Sequence, residues 1–171
     1  HPSKMVLVLA GNIGDDAVLR ARRAFRAIAV TRRACPAAAP FRRKPKGPLV
    51  HLHHKETAQA HLALGTPTFR AEDPRTDALT LLANILGGTM SSRLFVAVRE
   101  KRGLAYSVQA SADAYRDTGS FAVTAGLDPE RITQALRVIL RELARVRERG
   151  VTAEELARAK ENIEGRMILG F

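Results

Sequence analysis

The chain has 171 residues, a formal net charge of +11, 46% hydrophobic residues, one cysteine and no tryptophan. That composition suits a folded globular chain, and a lone cysteine excludes an internal disulfide framework; nor is any Cys/His cluster spaced as in a structural zinc finger. The longest apolar runs, 5–10 and 79–86, fall far short of the roughly 20 residues a membrane helix needs.

The charge is unevenly placed. Residues 1–47 hold eleven Lys and Arg against Asp15 and Asp16, a net of +9, whereas residues 48–171 hold seventeen against fifteen, a net of +2. The basic end, from Arg20 to Lys46, could attract nucleic acid or an anionic surface. Only Phe25 and Phe41 are available there to stack on bases, and Arg amid abundant Ala is also what GC-rich coding produces. A solvated basic surface is the simpler reading, with a nucleic-acid-binding module as the third function class.

In chain order, residues 5–10 read as a buried strand closed by a turn at Gly11-Asn12. Asp15-Asp16 then opens a helix to about Ile28, with Ala17, Val18, Ala21, Ala24, Phe25 and Ile28 as its apolar stripe. From 31 to 48 the chain carries Pro36, Pro40, Pro45 and Pro48 with little apolar periodicity, so a linker and domain boundary are expected there. Cys35 in this linker has no nearby His and does not suit a catalytic thiol. Residues 49–55 and 58–65 read as two strands, and Asp73-Pro74 as a cap opening a helix through Leu86. Gly87-Gly88 ends that helix, and Ser91 or Ser92 caps another with Leu94, Phe95 and Val98 inward.

Two strands, 104–112 and 119–125, then alternate around a turn at 114–118. Asp128-Pro129 opens a long helix ended by Gly150, and Thr152 with Glu155 forms a capping box for a last helix through Met167. The order β-β-α-α-β-β-α-α implies an α+β fold, with helices against a largely antiparallel sheet.

His51 and His53 would share one face of a strand, with His61 on its neighbour a conceivable third metal ligand. No His-x-x-Glu-His or His-Glu-x-x-His motif supports such a site, and exposed strand histidines are the plainer reading. Glu154-Glu155 is accounted for by helix capping, and Gly87-Gly88-Thr89 lacks the lysine of a phosphate-binding loop. The remaining candidates are Arg99 and Tyr106. An Arg fork near a helix end and a phenol on the next strand can together donate hydrogen bonds to a peptide carbonyl or carboxylate. Equally, Arg99 can complement the helix C-terminus while Tyr106 simply packs.

The stretch 86–108, with Gly87-Gly88-Thr89, Ser91-Ser92-Arg93-Leu94-Phe95, Arg99-Glu100-Lys101-Arg102-Gly103 and Ala105-Tyr106-Ser107-Val108, resembles the second-half signature of the pitrilysin/insulinase-like zinc peptidases. The resemblance is to the bacterial branch related to mitochondrial processing peptidase. Residues 5–12, 59–65, 115–121 and 150–160 fit the same pattern in order and spacing.

The resemblance implies a clamshell of two related α+β halves, with a His-x-x-Glu-His zinc site in the first half whose Glu activates the zinc-bound water. It also implies that Arg99 and Tyr106 of the second half reach across to the substrate, Arg99 binding a carbonyl and Tyr106 orienting the peptide or stabilising the oxyanion. Gly87-Gly88 corresponds to a glycine-rich loop linked to substrate handling, although Thr89 stands where a glycine is common.

On this basis residues 1–30 are expected to be the closing strand and helix of the preceding half, 31–48 an interdomain hinge, and 49–171 an incomplete second half without zinc. Zinc would then belong to the parent's other half or a partner subunit. The expected function is the non-catalytic half of a zinc-dependent metalloendopeptidase acting on peptides, its parent a homo- or heterodimer. The second class is a non-enzymatic, processing-peptidase-like interaction subunit. No targeting signal is readable at His1-Pro2, as in an internal fragment; the bacterial resemblance favours a cytoplasmic parent.

Overall fold

The computed structural model describes residues 5–28, 39, 41 and 47–170. The chain divides into two compact units, His1–Pro40 and Phe41–Phe171. In the first unit, helix α1 spans Ala17–Phe25, with Arg20 Nε donating to Asp16 Oδ2 at 2.6 Å. None of its residues is buried, and the helix stops short of Ile28. Residues 5–10 form no strand and lie exposed, contrary to the sequence expectation. A strand must hand its N–H and C=O groups to a neighbour, and the described residues of this unit supply none. Most of the expected linker, including Cys35-Pro36, lies outside the described residues.

The second unit begins its regular structure at β1, Ala60–Thr68, followed by helix α2, Thr76–Gly87. A π-helical turn covers Phe95–Glu100, and strands β2, Ala105–Ala114, and β3, Gly119–Leu127, follow. A single 3-10 turn, Pro129–Arg131, leads into α3, Ile132–Arg149, and α4 covers Ala153–Leu169. The sheet is antiparallel in the order β1-β3-β2, which makes the fold α+β. Pro67 lies on β1, an edge strand, the place in a sheet where proline is tolerated.

The strand expected over 49–55 is absent. Leu49, Val50 and Leu52 are exposed, so no burial offsets the entropy of ordering the segment. By contrast the β2–β3 hairpin forms as read, closed by Tyr115 N–H donating to the Thr118 carbonyl at 2.8 Å. The expected start residues are engaged at three turns, but α2 itself begins at Thr76 rather than at Pro74, and no serine caps the helical segment after Gly88, where the Ser92 hydroxyl is buried without a partner among the described residues. Asp73 accepts from the Arg75 amide, Asp128 from the Glu130 amide, and Thr152 with Glu155 makes both halves of a capping box.

The core lies under one face of the sheet. Leu86, Leu94, Val98, Leu104, Val123, Leu127 and Ile139 are its largest fully buried side chains. With Ala105 and Val108 of β2 they join α2, the 93–104 segment, two strands and α3 into one cluster. A second tie holds α4. The Arg93 guanidinium grips Glu155 through both carboxylate oxygens, Nε to Oε1 at 2.5 Å and Nη2 to Oε2 at 2.7 Å, and also donates to the Gly150 carbonyl at 3.1 Å.

Hydrogen bonding from Arg93, helped by the Thr152 amide, holds the Glu155 carboxyl at about 2, below its ordinary 4.5. The pair therefore stabilises fully above about pH 4.5 and loses its contribution as pH falls towards 2. Arg93→Leu should cost about 2 kcal/mol near neutrality, because it leaves a largely buried carboxylate short of partners. Denaturation at pH 7 and pH 3 checks this; an equal deficit at both would contradict the pairing.

Candidate functional site

Arg99 lies near the end of the π-helical turn. There the Lys101 amide reaches back to the Val96 carbonyl at 2.9 Å and the Leu104 amide to the Val98 carbonyl at 2.9 Å, both longer spans than an α-helix makes. Arg102 Nη1 donates to the Ala97 carbonyl at 2.7 Å, so a widened turn still has a partner for that oxygen. Gly103, at φ 57°, then turns the chain into β2 in a conformation that side chains resist.

Tyr106 sits on a second irregularity. Ala105 pairs with Leu127 and Ser107 with Gly126, so Tyr106 is the extra residue of a β-bulge. Ala105 and Val108 face the core while Tyr106 and Ser107 are both exposed, Tyr106 at 59%. The bulge has re-aimed the phenol outward.

Gly87, Gly88 and Arg99 share an open groove of about 390 Å³ with Met90, Phe95 and Gln109. Tyr106 does not line it, although its neighbour Ser107 does. The structure thus brings three of the four expected site residues to one groove and leaves Tyr106 beside it. Gly87 also has a packing role. A Cβ there would lie 2.2 Å from the Ala110 amide nitrogen, so the end of α2 can approach β2 only through glycine. Ser107 and Gln109 were not singled out by sequence patterning. Phe95 packs against the core cluster as its spacing predicts and also reaches the groove edge, and its i, i+4 relation to Arg99 is the sequence signal that points there.

The histidines do not assemble. Residues 51–54 are exposed and unpaired as strand, and His61 is exposed on β1. Among the described residues no three His, Cys, Asp or Glu side chains are grouped to hold a metal ion.

Residues 1–163 match the model of the Peptidase M16 inactive domain. The chain belongs to that family. An uncharacterized zinc protease of Streptomyces coelicolor is 39% identical over 99% of this chain, which covers 38% of that protein. For the uncharacterized zinc protease YmxG of Bacillus subtilis the identity is 34%, with coverage of 99% and 41%. The chain therefore spans about two fifths of the length of the curated relatives it matches.

Among solved structures, a peptidase M16 inactive domain from Pseudomonas fluorescens aligns with a TM-score of 0.61 and 31% identity, over 64% of this chain and 27% of that one. A protease from Helicobacter pylori aligns over 92% of this chain and 39% of its own with a TM-score of 0.73, and at 22% identity it shows the shared fold. The M16 inactive domain is the non-catalytic half of zinc protease-like proteins and implies a catalytic half with which it pairs.

Proposed function

We propose that the parent of this chain is a zinc-dependent endopeptidase, and that this segment supplies substrate-binding and transition-state-assisting groups to a zinc site in another half or subunit. The observation that carries the reading is the placement of Arg99 beside Gly87-Gly88 in one open groove, within a chain of the M16 inactive family. A guanidinium there can donate to a peptide carbonyl through two parallel N–H groups, and the exposed phenol of Tyr106 can donate to a developing oxyanion or orient the chain. The relatives' names as zinc proteases support the metal assignment; the zinc would supply water activation in the other half.

In the same reading residues 1–30 complete the preceding half-domain, 31–48 are the hinge, and 49–171 are the second half. The exposed apolar side chains of residues 5–9 and of α1 support this, since such surface suits a neighbour. Closure about the hinge would gate peptide entry, and the parent would act as a homo- or heterodimer.

Metal removal tests the assignment. Cleavage of an unstructured peptide by the full-length protein should be lost on chelation and return with zinc. Cleavage that survives complete chelation would contradict a zinc peptidase, and no cleavage in zinc-loaded protein would favour the interaction-subunit reading.

A further inference from the structure

Arg99 is exposed and has no carboxylate within ion-pair distance among the described residues. A free arginine on a surface samples many rotamers, and ordering it on binding is costly. One contact restrains it: its guanidinium carbon stands 5.0 Å from the centroid of the Phe95 ring. That is within the roughly 6 Å at which the negative face of an aromatic ring attracts a cation. Phe95 is itself partly buried and packs against the core cluster, so the ring is the fixed member of the pair. Both residues line the groove that Gly87 and Gly88 edge.

We infer that Phe95 is a positioning residue that holds the Arg99 guanidinium over this groove. The choice of a ring over a carboxylate has a chemical consequence. An Asp or Glu partner would order Arg99 but take its N–H donors into hydrogen bonds and cancel its charge, whereas a ring attracts the cation without supplying a counter-charge or a lone-pair acceptor. The π-helical turn contributes by carrying both residues, with Phe95 as its first residue and Arg99 one short of its end.

The inference rests on the proposed substrate-binding role of Arg99, and the experiment separates the two. Peptide cleavage is compared in the full-length protein for wild type, Phe95→Leu and Phe95→Tyr, and for each with Arg99→Gln. Phe95→Leu keeps an apolar side chain and removes the π face. It should lower kcat/KM about two- to fivefold, the range of an exposed cation–π contact. Phe95→Tyr should restore the rate, and Phe95→Leu should add nothing once Arg99 is Gln. A wild-type rate in Phe95→Leu, or an undiminished loss in the Arg99→Gln background, overturns the proposal.

A second readout is independent of turnover. The Arg99 Nε–Hε resonance should be displaced by the ring current in wild type and Phe95→Tyr and return to the free-arginine position in Phe95→Leu. No movement on that substitution overturns the proposal. If Arg99→Gln alone keeps wild-type kinetics, the substrate-binding role falls, while the resonance still decides whether Phe95 holds the guanidinium.

Discussion

Replacing Arg99 by Gln and Tyr106 by Phe together in the full-length protein is expected to lower peptide turnover by about a hundred- to a thousandfold while leaving the fold intact. The magnitude is that of removing preorganised donors aimed at charge that develops in the transition state. The fold should survive because both side chains are exposed and neither belongs to the buried cluster. Steady-state kinetics and a thermal melt decide it, and wild-type kinetics for the double variant would remove the assigned roles. Arg99→Lys should not rescue the Arg99 single variant, since an ammonium lacks the planar fork that meets a carbonyl or carboxylate with two parallel bonds.

The second large effect concerns Gly87. Gly87→Ala should destabilise by about 1–3 kcal/mol, the usual cost of overpacking, because the new methyl would fall 2.2 Å from the Ala110 nitrogen and 2.8 Å from the Gln109 carbonyl carbon. These are backbone atoms of a paired strand, so relief requires α2 to withdraw from β2. That movement would also widen the groove beside Arg99, so peptide affinity should fall with stability. Gly165 within α4 is the control, since a Cβ there meets nothing within 4 Å. Gly165→Ala should stabilise by up to about 1 kcal/mol through helix propensity. Denaturation of the two variants in parallel tests the close approach, and equal effects would contradict it.

What was legible in the sequence was local. The Thr152–Glu155 capping box, the Asp128-Pro129 start and the β2–β3 hairpin each depend on residues a few positions apart, and each forms as read. The apolar runs at 5–10 and 49–55 have strand-like composition too, but a ladder needs a second edge that composition does not provide. The two irregularities that carry the candidate site were equally hidden. Leu94 and Val98 are spaced as in an α-helix, yet Phe95–Glu100 widens to a π-turn, and the alternation of β2 conceals the extra residue at Tyr106. Both depend on how hydrogen bonds are shared with the rest of the fold. The pairing of Arg93 with Glu155, 62 residues apart, was illegible for the same reason.

The measurement that bears most directly on the central claim is zinc content and peptide cleavage determined side by side for the full-length protein and for residues 1–171 alone. Under the proposed assignment the full-length protein, together with any partner subunit, holds zinc and cleaves an unstructured peptide, and the 171-residue chain does neither. Stoichiometric zinc on the shorter chain, or turnover by it, would contradict the account.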